Sequence, residues 1–135
     1  MLLLSNQEFE LIERKKQVDI KQLQKLCHKI AVKKGFWDTN GEAEKWFTGQ
    51  RTDTRNNGEM IALQHSELSE ALEAIRKGNP LSKKIPKFSL AEEELADCII
   101  RILDMAEGRK FNIAGAIKAK IVYNKKRVYK HGKKF

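Results

Sequence analysis

The chain of 135 residues is 33% charged and 41% hydrophobic and carries a formal net charge of +9, which is typical of one soluble, helix-rich domain. Its apolar start, Met1 to Leu4, is too short for a signal peptide or a membrane-spanning helix, so no membrane partner is expected. Cys27 and Cys98 form no Cys-x-x-Cys pair, which disfavours zinc sites and disulfide frameworks and predicts a reducing, cytoplasmic location.

The first part of the chain predicts one long helix between two less regular stretches. Apolar side chains recur at helical spacing between about 18 and 34, and Gly35 is suited to end that helix. Residues 1–17 form an N-terminal extension, in which 6–16 predicts a short extra helix. Residues 36–57 are rich in aromatic side chains, so we expect a structured loop with Trp37 and Trp46 in the core or at an interface.

The second predicted helix, about 58–77, carries two carboxylates on the side that should face the core. Glu67 and Glu70 fall in the same three-four seam as Met60 and Ala74, and Gly78 begins a strong stop signal. A neighbouring apolar stripe contains Ile61, Leu68, Leu72 and Ile75. Like charges three residues apart destabilise a helix, so a partner that offsets their repulsion is expected.

The third predicted helix, about 90–108, repeats this arrangement. Ser89 and Glu92 have the spacing of a capping box at its start. One stripe of the helix contains Glu94, Asp97, Arg101 and Asp104, and the stripe expected to face the core contains Leu95, Ile99, Ile102 and Ala106. Glu93 and Asp104 are interpreted as cap or surface charges, although Glu93 is also a candidate base.

The last part of the chain predicts a basic helix and a basic tail. A fourth helix, about 113–129, has an apolar seam that only Asn124 interrupts, and 130–135 form the tail. Between Lys118 and Phe135 the chain has seven Lys, one Arg and no acid, so the remaining residues sum to about +1. Four amphipathic helices in a single domain predict an all-α four-helix bundle.

Four carboxylates, contributed in pairs by the second and third helices, predict a metal site. They are Glu67, Glu70, Glu94 and Asp97. Facing each other, they would form an all-oxygen cage that suits Mg²⁺, with Mn²⁺ as a second possibility. A di-iron bundle requires Glu-x-x-His twice, and no histidine of this chain has Glu three residues before it. The remaining use of such a cage is phosphate chemistry.

The order and spacing of these acids resemble the MazG-like, all-α nucleotide pyrophosphohydrolases, whose pattern is Glu-x-x-Glu, a variable spacer and then Glu-x-x-Asp. Here 23 residues separate Glu70 from Glu94. The sequences of 64–73, 123–127 and 129–132 are also similar to that family. The resemblance extends from about Ala31 to the C-terminus.

The resemblance implies an enzyme that hydrolyses a nucleoside triphosphate, NTP or dNTP, to the monophosphate and pyrophosphate, with Mg²⁺ bound by the four acids. Lys120 and Asn124 match the substrate-binding positions of the family's last helix, and Lys125 and Arg127 are further candidates. Gln64, one turn before Glu67, is a candidate for contacting the base or a metal-bound water. Family members usually associate, so a homodimer or a dimer of dimers is expected.

Two alternatives remain open at the level of sequence. The basic tail, with its interleaved aromatic residues, is compatible with a helical nucleic-acid-binding module. That reading is disfavoured because an acidic centre would repel a phosphate backbone. A relative that binds nucleotides without turning them over is the second alternative. The sequence leaves the preferred base, the sugar and the number of metal ions open.

Overall fold

The computed structural model describes residues 19–37 and 55–135. Within these ranges the chain is all-α and has four helices: α1 at Ile20–Lys33, α2 at Asn57–Arg76, α3 at Leu90–Gly108 and α4 at Ile113–Lys125, followed by a short 3₁₀ segment at Tyr129–Gly132. The predicted helix at 6–16, the rest of the N-terminal extension, Trp46 and most of the aromatic loop lie outside the described residues.

The helix ends agree closely with those that the capping residues predict. Ser89 and Glu92 form the expected capping box at the start of α3. Gly35 and Gly78 follow the ends of α1 and α2 with φ of +85° and +88°, a conformation that glycine adopts without strain. The fourth helix ends earlier than predicted, at Lys125, because the next amides bond to carbonyls three residues back and tighten the last turn.

α3 is the central helix of the packing. It lies against α2 on one side and α1 on the other, and α4 packs against α1. The core is built largely from small side chains together with one large ring; its buried hydrophobic members are Cys27, Trp37, Met60, Ala71, Ala74, Ala91, Cys98, Leu103 and Ala106. Small residues on α2 and α3 allow the two backbones to approach closely, which brings their acidic seams together.

The apolar stripe that was expected to face the core on α3 faces outward, and this prediction was wrong. Leu95, Ile99 and Ile102 are exposed, Ile99 to 53% of its surface, and only Ala106 of that stripe is buried. The stripe next to it, with Glu94 and Asp104, is turned inward instead. Successive helical residues are about 100° apart, so burying the acidic stripe turns its neighbour toward solvent.

The apolar stripe of α2 and the seam of α4 are likewise exposed. Leu68, Leu72 and Ile75 of α2 are more than two-fifths exposed. No residue of α4 is buried, and Ile121, at the middle of the predicted seam, is 50% exposed. The packing of the described residues therefore leaves apolar side chains uncovered on three helices.

The connection between α2 and α3 is tied to both helices by hydrogen bonds. Leu90 N–H donates to the carbonyl of Pro80 (2.8 Å), and Ala91 N–H donates to Asn79 Oδ1 (2.9 Å). Ser82 N–H donates to the carbonyl of Phe88 (2.9 Å). These bonds fix how far α3 is displaced along α2. In the part of the chain that is described, no helix is both long and apolar enough to cross a membrane.

Candidate metal centre and adjoining cavity

Three of the four predicted carboxylates converge between α2 and α3. Glu67, Glu70 and Glu94 each offer an oxygen, and these oxygens all lie within 4.8 Å of one another. Glu67 and Glu94 are buried, whereas Glu70 faces solvent. The arrangement presents hard oxygen donors from two helices around one point, open on one side, as a hydrated divalent cation requires.

Two carboxylates at this site, Glu94 and Asp97, have raised pKa values. Burial, followed by the neighbouring Glu70 and then Glu67, raises the pKa of Glu94 to about 7. Burial, followed by the charge of Glu67, also raises the pKa of Asp97, which lies one turn further along α3. Both shifts result from burial and from the nearness of other carboxylates. A cation among them would remove this penalty.

One arginine neutralises part of the cluster. Arg101, one turn after Asp97, donates from Nε to Glu67 Oε1 at 2.6 Å. The Glu67 carboxylate is 8% exposed, whereas the arginine side chain is 37% exposed. The pair therefore lies at the edge of the cluster, where the guanidinium remains in contact with solvent.

Glu93 is buried and holds the α2–α3 connection, so its interpretation as a surface charge was wrong. Its carboxylate accepts a hydrogen bond from the Ser82 hydroxyl and forms an ion pair with Lys84, whose Nζ lies 2.8 Å away. The bond from Lys84, followed by that from Ser82, lowers the pKa of Glu93. The Ser82 hydroxyl also accepts from the amides of Lys84 and Ile85. These bonds give Glu93 a role in positioning the connection.

Asp104 is also buried rather than a surface charge, because it is the centre of a polar network. Its Oδ1 accepts from Trp37 Nε1 at 2.8 Å and lies 2.9 Å from His28 Nδ1. Arg55 Nη1 is 3.6 Å from its other oxygen. The guanidinium groups of Arg55 and Arg109 lie over the Trp37 ring, at 5.0 and 5.5 Å from its centre. Trp37 is 1% exposed, which confirms its predicted packing role.

A cavity of about 410 Å³ connects the acidic cluster with this polar network. Its walls come mainly from apolar side chains of α1 and α2, including Leu23, Leu26, Cys27, Ile30, Met60 and Leu63. Five charged residues also line it: Glu67, Asp97, Arg101, Asp104 and Arg55. A cavity of this size with a few polar groups matches the sites that hold small organic ligands.

The substrate-binding residues predicted on the last helix lie on a different part of the bundle. Lys120, Asn124 and Lys125 lie on α4, and Arg127 follows its end; α4 packs against α1, whereas the acids are on α2 and α3. Lys120 Nζ and the Arg127 guanidinium lie over the Tyr123 ring, at 4.5 and 5.7 Å. Asn124 Oδ1 is buried without a hydrogen-bond partner in the described part of the chain, and Lys125 is exposed. No described contact brings these residues to the acidic cluster.

Gln64, the candidate for contacting the base or a metal-bound water, makes its described contacts with α3. Its Nε2 donates to Met105 Sδ at 3.4 Å, a weak bond between α2 and α3. Its backbone carbonyl accepts from the thiol of Cys98 at 3.5 Å. Gln64 therefore contributes to the packing of the two helices that carry the acids.

Residues that the sequence reasoning missed at this site are Arg101, His28 and Arg55. Arg101 lies on the acidic stripe of α3, one turn after Asp97. A cation among acids at this spacing is a signal for an ion pair, here with an acid of the facing helix. His28 and Arg55 come from elements distant in sequence, and no local pattern links them to Asp104.

A comparison with protein-family models, curated proteins and solved structures gives no match.

Proposed function

We propose that this protein is a Mg²⁺-dependent nucleotide pyrophosphohydrolase of the MazG-like type, which converts an NTP or dNTP to the monophosphate and pyrophosphate. The observation that carries the proposal is the convergence of oxygens of Glu67, Glu70 and Glu94 within 4.8 Å, next to a cavity that Glu67 and Asp97 line. Without a cation such a cluster would repel a triphosphate, so substrate and acids require a metal between them.

The donor set fits Mg²⁺ better than a softer metal. All four predicted ligands are carboxylates, and burial together with neighbouring carboxylates raises the pKa values of Glu94 and Asp97, so a bound cation would be favourable there. Bound there, Mg²⁺ would neutralise phosphate charge and lower the pKa of a water molecule. Mn²⁺, with the same preference for oxygen donors, should substitute for it.

The protein groups around the cluster would orient the substrate. The apolar walls of the cavity would take the nucleoside out of water, which leaves its phosphates at the end lined by Glu67 and Asp97. Attack of water on the α-phosphorus breaks the bond to the bridging oxygen, and pyrophosphate leaves with that oxygen. Glu93 has one oxygen bonded to Ser82 and the other paired with Lys84, so it would hold the connection rather than act as the base.

A nucleotide panel tests the proposal. Purified protein incubated with each common NTP and dNTP in Mg²⁺ should release pyrophosphate and not orthophosphate. Glu70→Gln and Asp97→Asn should each lower kcat by on the order of 100-fold or more, because each removes one charged ligand from the metal. Chelation of the metal should abolish the activity, and Mn²⁺ should restore it.

Glu73→Gln is a matched control for these substitutions. Glu73 lies on α2 one turn after Glu70 but is about half exposed and pairs with Lys77 on the surface. Its substitution should leave the activity unchanged. Unchanged pyrophosphate release in both Glu70→Gln and Asp97→Asn would show that the cluster is not the catalytic site.

We further propose that two copies associate through the exposed apolar stripes of α2 and α3. Leu72 and Ile99 represent these stripes, and both are more than half exposed in one copy. A small bundle with uncovered apolar side chains at regular helical spacing is typical of a chain that pairs with a second helical surface. A homodimer, or a dimer of such dimers, would cover them.

The exposure of α4 is the observation that favours the alternative of a nucleic-acid-binding module. The helix has no buried residue, and its Lys120, together with Arg127 just after its end, lies over the Tyr123 ring. Salt-dependent retention of RNA or DNA without Mg²⁺, combined with no hydrolysis in the nucleotide panel, would support this alternative. The buried carboxylates would then have no function in binding.

A further inference from the structure

Arg101 occupies the boundary between the acidic cluster and the cavity. It lies on α3 one turn after Asp97 and lines the cavity together with Glu67 and Asp97. Its side chain is 37% exposed, so part of it can be reached from solvent. A side chain in this position would contact the part of a ligand that extends from the apolar cavity to the acids.

The hydrogen bonding of Arg101 leaves most of its donors available. A guanidinium has five N–H donors, and only Nε–H is engaged, with Glu67 Oε1 at 2.6 Å. Its Nη groups bond to no acceptor within the described ranges 19–37 and 55–135. An arginine whose role is only to neutralise a carboxylate usually binds both of its oxygens in a fork, so this single bond leaves the fork free for a second anion.

The identity of that anion follows from the charges around it. The other cation close to the cluster, Lys84, is paired with Glu93 at 2.8 Å. Under the proposed function, the cavity would hold an uncharged, largely apolar group, and the carboxylates would hold a cation. A negatively charged group that joins these two must lie next to Arg101, because Arg101 lines the cavity beside Glu67 and is itself cationic.

We propose that Arg101 is a substrate-binding residue that contacts the phosphate adjoining the nucleoside, an inference that rests on the proposed nucleotide pyrophosphohydrolase function. Nε keeps the Glu67 carboxylate in place, and the Nη fork binds two oxygens of the α-phosphate. Arginine suits this position because its planar fork matches phosphate geometry, whereas lysine offers a single point of charge.

Nucleoside and nucleoside monophosphate are the probes that isolate this contact, because they differ only in the α-phosphate. Their dissociation constants are measured by calorimetry with Mg²⁺ present, for the common ribo- and deoxyribonucleosides and their 5′-monophosphates. Arg101→Gln should weaken monophosphate binding on the order of 10- to 100-fold, the range expected for charge-assisted hydrogen bonds, and leave nucleoside binding unchanged. Arg101→Lys should give an intermediate loss.

Arg76→Gln is the matched control. Arg76 is an exposed residue in the last turn of α2, and its substitution changes the net charge by the same amount. It should not alter the affinity for either probe. Circular dichroism and thermal unfolding of each variant establish that it is folded, and Arg101→Lys provides the test if Arg101→Gln is not.

The outcomes separate this inference from the proposed function. If the wild type binds no monophosphate more tightly than its nucleoside, or if Arg101→Gln weakens both probes equally, Arg101 only supports Glu67 and the inference is overturned. If the nucleotide panel shows hydrolysis but monophosphate binding is unchanged in Arg101→Gln, the inference fails alone. If the panel shows no hydrolysis while the phosphate-specific loss is observed, the contact stands and the enzymatic proposal fails.

Discussion

Glu94 lies among other carboxylates on the buried side of α3, and this position couples the stability of the protein to pH. Burial and the neighbouring Glu70 raise its pKa from 4.5 to about 7. The folded state therefore binds a proton that the unfolded state has lost between these values. The corresponding stability is fully present below pH 4.5 and is lost as pH rises through about 7.

Glu94→Gln should reduce this pH dependence by the part that Glu94 contributes. In a chelating buffer, the wild-type free energy of unfolding should fall between pH 5 and pH 8 by on the order of 1–2 kcal/mol, a range that allows for screening at the open side of the site. At pH 8 the variant should be more stable than the wild type by a similar amount. Urea unfolding at both pH values measures the effect.

Neighbouring acids set the limits of this test. The pKa of Asp97 is also raised, so part of the pH dependence should remain in Glu94→Gln. The pKa of Glu93 is lowered, and its contribution is lost only as pH falls below the usual carboxylate range, outside the window measured. A wild type as stable at pH 8 as at pH 5 without metal would contradict the account of Glu94.

At the scale of single residues, the sequence predicted the clustered acids but not the side chains that contact them. Glu67, Glu70 and Glu94 were recognisable because two like-charged pairs, one on a predicted core-facing seam and one beside such a seam, need an explanation. Asp104 has the same signal, since it lies on the stripe of Glu94, but its partners Trp37 and His28 come from another part of the chain. Contacts between distant segments leave no mark on local spacing.

Gly108, the last residue of α3, shows how closely the elements fit. A Cβ at this position would overlap with ring atoms of Trp37, which is almost completely buried. Replacing a helical glycine with alanine usually stabilises a helix by about 0.5–1 kcal/mol. Here the overlap with a confined ring should reverse the sign.

Gly108→Ala should therefore destabilise the protein by about 1–3 kcal/mol, the usual cost of overpacking a core. Chemical unfolding measures this loss. Trp37→Phe provides a smaller ring, so in a double-mutant cycle the two substitutions together should cost less than the sum of each alone. Gly108→Ala with unchanged or increased stability would show that α3 and Trp37 can separate at no cost.

At the scale of elements, caps predicted the helix ends but periodicity did not predict which side of each helix is buried. Ser89, Gly35 and Gly78 act within a single turn, so they can be recognised without knowledge of the fold. On α3, the acidic and apolar stripes are adjacent, and the stripe with Leu95 and Ile99 was assigned to the core on hydrophobicity alone. Packing against α1 and α2 instead buried the acids.

For the whole molecule, the uncovered stripes of α2 and α3 predict that association depends on their apolar side chains. Leu72→Glu and Ile99→Glu should each shift a homodimer to the monomer, because each places a charge in a surface that must leave water. Light scattering combined with size-exclusion chromatography measures the mass. Helical circular dichroism should remain, since both side chains are exposed in the single copy.

Ser66→Glu serves as the control for this pair. Ser66 is exposed on α2 and lies on the opposite side of the helix from Leu72, about 120° away around the axis. Ser66→Glu adds the same charge as the two test substitutions but away from the apolar stripe. The mass measured for the assembly should therefore equal that of the wild type. A wild-type monomer at micromolar concentration would rule out the proposed association.

The hydrogen-bonded connection between α2 and α3 would affect how fast the proposed metal ion binds. Pro80, Ser82 and Asn79 tie the connection to α3, so Glu67 and Glu94 are in register before any ion arrives. An incoming ion would therefore not have to order the backbone first. Its association rate would be set by exchange of its own water ligands, as for a rigid small-molecule chelator, and not by folding of the protein around it.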